Sequence, residues 1–294
     1  MTNFLEKYID QALELLNQHS SENLRFTIMA CVYAPMILFS SIICIWKVKE
    51  LPASPKIRES AFFQGMVDVM KNRPFVILLT AYAISAVGSN LPATLILYYV
   101  EYVLQAEHAE GFLLIYFLTG ILFLPFWIAI SRKMGKKNAW ITSMVINTGA
   151  FAGVFFLGSG DANVYGLLVF ISGIGFGAGL ALPSSIQADV IDYDELMTGQ
   201  RHEGKYMGLW SIAKKFSAAF GVGIGLFLLG NAGYRPNITQ SRETVDLLRI
   251  LYALVPCLCN ALSIIIICFY PITEKYHSKI RNEIEKNKKI NIQA

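Results

Sequence analysis

ADVIDYDELMTGQRHEGKYMGLWSIAKKFSAAF, from Ala188 to Phe220, sets five carboxylates (Asp189, Asp192, Asp194, Glu195, Glu203) and four cations (Arg201, Lys205, Lys214, Lys215) between two long apolar runs. Charge of that density between segments greasy enough to cross a bilayer has two readings. It is a water-exposed loop that ends in lysines, or it is where a membrane protein handles polar cargo.

The flanking composition makes the membrane reading necessary. The chain is 54% hydrophobic and only 16% charged, with a mean hydropathy of +0.47, which is too apolar for one soluble core. A bilayer interior of about 30 Å needs about 20 apolar residues per helix. Seven runs reach that length: 25–47, 75–99, 111–131, 139–158, 164–186, 207–230 and 247–270. None alternates polar and apolar as a barrel strand does, so the expectation is an all-α membrane protein of about seven transmembrane helices. All five cysteines (Cys31, Cys44, Cys257, Cys259, Cys268) fall inside these runs. Cys257 and Cys259, two apart, point to different faces of a helix, so all five read as small apolar residues. The carboxylates fit no EF-hand loop and no histidine pair supports zinc, so no metal, cofactor or nucleic-acid site is expected. Nothing brings a nucleophile, a base and an orienting group together, so enzyme chemistry is not expected either.

Basic residues orient the spans. Lys47, Lys49, Lys56, Arg58, Lys71 and Arg73 follow the first, Arg132, Lys133, Lys136 and Lys137 the third, and the tail 271–294 is again basic, whereas the alternate loops are cation-poor. This places the N-terminus outside and the C-terminus in the cytoplasm. Residues 1–24 hold no continuous apolar core of signal-peptide length and read as an extracytoplasmic amphipathic segment, Phe4, Leu5, Tyr8, Ile9 and Leu16 sharing a face. Residues 48–74 read as a cytoplasmic linker, broken by LPASP at 51–55, with an amphipathic helix before Pro74.

Asn90 and Pro92 in the second span would be costly against lipid, so they are expected to face protein or a cavity, the carbonyl freed by the kink being met by Ser89 or Asn90. Gly173 with Gly177 and Gly175 with Gly179 form small-xxx-small pairs in the fifth span, matched by Gly221 with Gly225 in the sixth, and these two helices are expected to touch and slide. Asp192, Asp194 and Glu195 are expected to pair with Arg132, Lys133 or Arg201. The apolar run after Lys215 is only about 15 residues, roughly 22 Å, so the sixth span must include the lysines. Neighbours on a helix point about 100° apart, so only one of Lys214 and Lys215 can line a given cavity; snorkelling of both to the interface is the alternative.

The stretch 188–220, followed by GNAGYRPNITQS at 230–241 and supported by KNRPF at 71–75, YYVEYVL at 98–104 and SRKMGKKNAW at 131–140, resembles the glycoside-pentoside-hexuronide cation symporters, the melibiose carrier group of the major facilitator superfamily. The resemblance covers about residues 25–275. It implies that the seven spans are equivalent to helices six to twelve of a major facilitator fold, with residues 75–270 the six-helix C-terminal bundle. It further implies a sugar or related solute:cation symporter of the bacterial inner membrane. Lys215 falls on the family's inward-facing lysine, and Trp210 and Ser211 fall where the family meets its sugar. Asp189, Asp192, Asp194, Glu195, Arg132 and Arg201 become a gating charge network. The family binds its coupling cation, Na+ or H+, through acidic residues on early helices that this sequence does not contain, so missing N-terminal helices or a separate half are implied as a partner, besides the lipid bilayer and a small polar solute such as a glycoside. Two other readings stand beside this one: a non-transporting remnant or half-carrier, and a seven-helix retinal-type receptor with a late-helix lysine.

Overall fold

The structure, a computed structural model, describes residues 2–47, 62–106, 108–236 and 238–293. Its helices are α1 (Thr2–Lys47), α2 (Phe62–Met70), α3 (Arg73–Tyr98), α4 (Ala109–Leu122), α5 (Leu124–Met134), α6 (Lys136–Val154), α7 (Ala162–Thr198), α8 (Glu203–Asn231), α9 (Arg242–Arg249), α10 (Val255–Cys268) and α11 (Glu274–Gln293), with π-helical turns at Tyr99–Val103 and Ile250–Leu254. Among the described residues there is no strand, so the fold is all-α. The chain divides into Met1–Glu59 and Ser60–Ala294.

The first unit is one helix where the sequence suggested a surface helix and then a span. No proline or glycine precedes Pro35, so nothing interrupts the backbone ladder around Arg25. Its apolar part, Phe26–Lys47, is 22 residues long with a hydropathy of 2.3. The linker motif LPASP and the residues up to 61 lie outside the described residues, as do the side chains of the amphipathic face proposed for 1–24.

Three spans of the second unit start or bend where a proline removes a backbone donor. At the start of α3 the Asn72 side chain accepts from the Phe75 N–H at 3.2 Å, with Pro74 in the first turn. The third apolar run is not straight: α4 and α5 meet at 44° around Phe123, because Pro125 in the first turn of α5 has no N–H to continue the ladder. Pro256 plays the same part after the π-helical turn Ile250–Leu254, but there the wider turn absorbs it and Arg242–Cys268 stays one span. Gly135, at φ +87°, closes the turn from α5 to α6 in a backbone region that suits glycine.

Among the described residues five helices are long and apolar enough to cross a membrane, six when α4 and α5 count as one span, against seven expected. The remaining helix of the seven, α6, carries Asn138, Thr142, Ser143, Asn147 and Thr148 within 19 residues. It can do so because it packs against α7 and α10, so that Ser143 and Asn147 meet protein groups and not lipid.

The glycine surfaces do not join α7 to α8, which barely meet. A Cβ on Gly177 would collide with the Gly120 carbonyl of α4, one on Gly173 would lie 2.8 Å from the Tyr116 carbonyl of α4, and one on Gly175 2.8 Å from the Ser143 carbonyl of α6. Gly221 of α8 sits instead on α3, 2.9 Å from the Val87 carbonyl by the same measure. Each glycine lets a different pair of backbones approach; residue spacing shows which positions share a face but not which helix that face meets.

Two apolar clusters fill the bundle. One centres on Phe75, Trp127, Trp140, Ile186 and Tyr206, the other on Leu91, Tyr99, Tyr165, Leu229 and Tyr252. Large apolar side chains also cover the outside, among them Leu118, Leu167, Phe216, Phe227, Leu262 and Phe269, the arrangement of a protein whose solvent is lipid.

Candidate functional site

Between the two clusters lies a cavity of about 320 Å³, within the size range of small-molecule sites. α3 supplies Tyr82, Ser85, Ser89 and Asn90, α4 Tyr116, α6 Trp140 and Phe151, α7 Ser172, Phe176 and Ser184, α8 Trp210 and Lys214, and the turn before α10 Tyr252. The polar side chains of the wall are thus hydroxyls, one amide and one ammonium, with no carboxylate, set among aromatic rings and aliphatic groups such as Ile96, Leu113, Leu168 and Leu180. Trp210 stacks on Tyr82 with centroids 4.2 Å apart and planes 25° from parallel, and Tyr116 stacks on Phe176 at 4.7 Å. At another part of the wall the Tyr165 and Tyr252 hydroxyls share a hydrogen bond of 2.6 Å.

Asn90 and Pro92 do line the cavity. Their neighbourhood differs from expectation in detail: Ser89 Oγ donates to the Ser85 carbonyl and Asn90 Nδ2 to the Ala86 carbonyl, each one full turn back, whereas the carbonyl opposite the proline is that of Gly88.

Of the two lysines, Lys214 lines the cavity, while Lys215 and Ser211 do not; all three residues are exposed. The buried stripe of α8 runs Tyr206, Trp210, Ser217, Gly221, Gly225, Leu229, a spacing of four, seven, four, four and four. Lys214, four after Trp210, falls on that stripe; Lys215, five after Trp210, is about 140° away from it. The signal was present in the sequence, because Trp210 and Lys215 cannot share a helix face. Among the described residues no carboxylate pairs with Lys214.

The carboxylates of the opening stretch gather elsewhere. α7 has 37 residues, about 55 Å at 1.5 Å per residue, so its end overhangs a 30 Å interior. On this overhang Arg201 NH1 reaches Asp192 at 2.8 Å and Glu195 at 2.7 Å, and its Nε reaches Glu203 at 2.7 Å. Asp194 is 2.8 Å from His202 Nδ1. Asp189 holds Lys136 at 2.6 Å, and His277 of α11 stands 2.9 Å from Asp192 and 3.5 Å from Asp189. Partial burial works against the Arg201 charge, but the hydrogen bonds to Glu195, Asp192 and Glu203 outweigh it and hold the guanidinium above its ordinary pKa. Burial, reinforced by Asp189, likewise pushes the Tyr270 hydroxyl up.

Arg132 takes no part: it is exposed and carries no ion pair among the described residues. It sits at the end of α5, whereas Lys136, across the Gly135 turn, opens α6 and lies against α7. Sequence reading missed Lys136 and both histidines. Lys136 was hidden among four cations of one loop, and His277 lies 85 positions from Asp192. Among the described residues no group of three or more His, Cys, Asp or Glu side chains is arranged to hold a metal ion.

Comparison with known proteins gives these observations a family. The chain is 29% identical over 271 residues to the glucuronide carrier protein homolog of Escherichia coli K12, a match covering 90% of this chain and 58% of the relative. It is 28% identical to a putative 2,3-dihydroxypropane-1-sulfonate exporter of Salmonella typhimurium, over 90% of this chain and 59% of that one. It is 27% identical to a putative sulfoquinovose importer of the same organism, over 92% and 58%. The chain thus spans less than two thirds of the length of the curated relatives it matches. The family described as MFS/sugar transport protein matches residues 8–274. An all-helical, multi-pass membrane fold, with a cavity of aromatic rings and hydroxyls at the centre of its bundle, belongs to that family of major facilitator sugar transporters.

Proposed function

We propose that residues 73–268 are one bundle of a secondary active transporter for a small polar solute bearing an acidic group, such as an anionic glycoside, and that the cavity is this bundle's share of the solute site. The observation that carries the reading is the Lys214 ammonium beside the Tyr82–Trp210 stack in a wall without carboxylates. Aromatic faces pack against the apolar face of a sugar ring, hydroxyls meet its hydroxyls, and a cation with no carboxylate beside it in the wall favours an anion over a neutral solute. The relatives named for glucuronide and sulfoquinovose are named for acidic sugars, which agrees with that charge.

Alternating access rocks two bundles about a shared site, so the reading includes a second bundle from helices outside this sequence, and with it the site for a coupling Na+ or H+. The Asp189, Asp192, Asp194, Glu195 and Arg201 cluster is then a gate that holds one face closed, with Lys136 in the place first given to Arg132. The bundle sits in the cytoplasmic membrane of a bacterium, with α11 on the cytoplasmic side.

The test is binding to the 294-residue chain in lipid nanodiscs, followed by saturation-transfer NMR, with methyl β-D-glucuronide and methyl β-D-glucoside as probes. Tighter binding of the acidic probe, lost in Lys214→Ala and kept in Lys215→Ala, supports the reading. Absence of saturable binding of either probe overturns it in favour of a non-transporting remnant, and equal affinity for the two probes overturns the charge preference.

A further inference from the structure

Four side chains form a hydrogen-bonded chain behind the cavity, and both of its ends open into it. Ser85 Oγ on α3 donates to Asn260 Oδ1 on α10 at 3.0 Å. Asn260 Nδ2 donates to Asn147 Oδ1 on α6 at 3.2 Å. Asn147 Nδ2 donates to Ser172 Oγ on α7 at 3.0 Å and to the Ser172 carbonyl at 3.3 Å. Ser85 and Ser172 line the cavity; Asn147 and Asn260 do not. Asn260 is buried, 4% exposed, so water does not compete for its amide.

The direction of the chain has a fixed cause. A backbone carbonyl only accepts, so the Asn147 amide must turn its Nδ2 toward Ser172 and its Oδ1 toward Asn260. Asn260 must then offer Nδ2 to Asn147, which leaves its Oδ1 for Ser85. Ser85 satisfies that oxygen by spending its only proton, so toward the cavity it presents lone pairs alone. Ser172 accepts from Asn147 and keeps its proton, which has no acceptor among the described residues.

We propose that Asn147 and Asn260 are specificity-determining positioning residues that give the two serines opposite hydrogen-bonding character: Ser85 takes a solute group that must donate, and Ser172 a group that must accept. The inference rests on the solute site proposed above. It deepens that reading by stating that one hydroxyl of the solute is required as a donor, and that a single carbonyl of α7, relayed through α6 and α10, enforces this on α3. A site built this way rejects a substituent of the right size and wrong polarity, because the rejected group leaves a buried partner unpaired.

The experiment uses the same nanodisc chain with methyl β-D-glucuronide and its 2-, 3- and 4-deoxyfluoro analogues. Fluorine is close to hydroxyl in size and cannot donate. In the parent chain one position loses roughly two- to tenfold in affinity on fluorination, the span set by a single neutral hydrogen bond. Asn260→Leu frees the Ser85 proton to point into the cavity, and that penalty disappears. Asn260→Asp as the neutral acid restores both bonds of the chain, one accepted and one donated, and the penalty returns. Ser263→Ala is the control for fold: it removes another buried bond of α10, Ser263 Oγ to the Ala81 carbonyl at 2.8 Å, without touching the chain, and leaves the fluorine ratios as in the parent. Ratios unchanged in Asn260→Leu, or changed equally by Ser263→Ala, overturn the proposal while leaving the solute site intact. No binding of the parent probe overturns both.

Discussion

Lys136 and Lys214 are two lysines that answer their surroundings in opposite ways. Lys136 reaches Asp189 at 2.6 Å and the Ser185 carbonyl at 3.3 Å, in a cluster whose every carboxylate named above has a cation or histidine beside it. Lys214 stands in a wall of aromatic and aliphatic side chains, hydroxyls and one amide, with no counter-ion among the described residues. Lys214 is exposed in this bundle; covering the cavity would bring its ammonium into low dielectric, at a cost of several kcal/mol unless something compensates it. The cluster carries its compensation within the chain, in ion pairs that run between α6, α7 and α11. The cavity lacks it, and a solute anion is what would complete it.

The sharpest way to break this contrast is Lys214→Ala, for which affinity for methyl β-D-glucuronide is expected to fall about 30-fold, or ~2 kcal/mol, the usual size of a charge-assisted hydrogen bond. Lys215→Ala, measured by the same titration, is expected to change it less than about twofold. If the two variants behave alike, the cavity lysine is not distinguished from its neighbour.

A smaller effect tests whether α7 is anchored by packing on its cavity side. Gly177→Ala forces a methyl onto the Gly120 carbonyl, and denaturant titration in bicelles should show a loss of about 1.5 kcal/mol. Gly179→Ala, which meets nothing within 4 Å, should cost nothing and gain slightly from helix propensity. Equal losses would mean that α7 does not rest on α4 as described.

Within the charged cluster, Arg201→Ala leaves Asp192 and Glu195 without their guanidinium. Because Arg201 is 42% exposed, solvent screens the pair and the expected loss is only about 1 kcal/mol in the same titration. Arg132→Ala should stay within about 0.5 kcal/mol, the smallest change of the set. A larger loss for Arg132 than for Arg201 would reverse the assignment of the cluster.

The helical class, the membrane setting and most of the spans were legible because a lipid interior leaves the backbone no partner but itself, and run length alone then reports a crossing helix. The family resemblance was carried by the 188–220 stretch, which also singled out Trp210, a residue of the cavity wall. The resemblance points to Lys215, whereas the four-residue step from Trp210 along the stripe from Tyr206 to Leu229 points to Lys214, the lysine that lines the cavity. The bend at Phe123 was signalled by Pro125.

Which surface meets which was not legible. The glycines of α7 could as well have faced α8, and only the packed bundle sends Gly177 to α4, Gly175 to α6 and Gly221 to α3. Asn147 and Asn260, 113 positions apart, look like two polar intrusions in apolar runs until α6 and α10 are laid side by side. The sequence by itself determined which segments are helices and which face of each is small, apolar or polar, because those properties repeat with the period of one helix. The tertiary structure alone decided which faces touch and hence where a lysine has no counter-ion, because contact between helices depends on three-dimensional packing that no local period encodes.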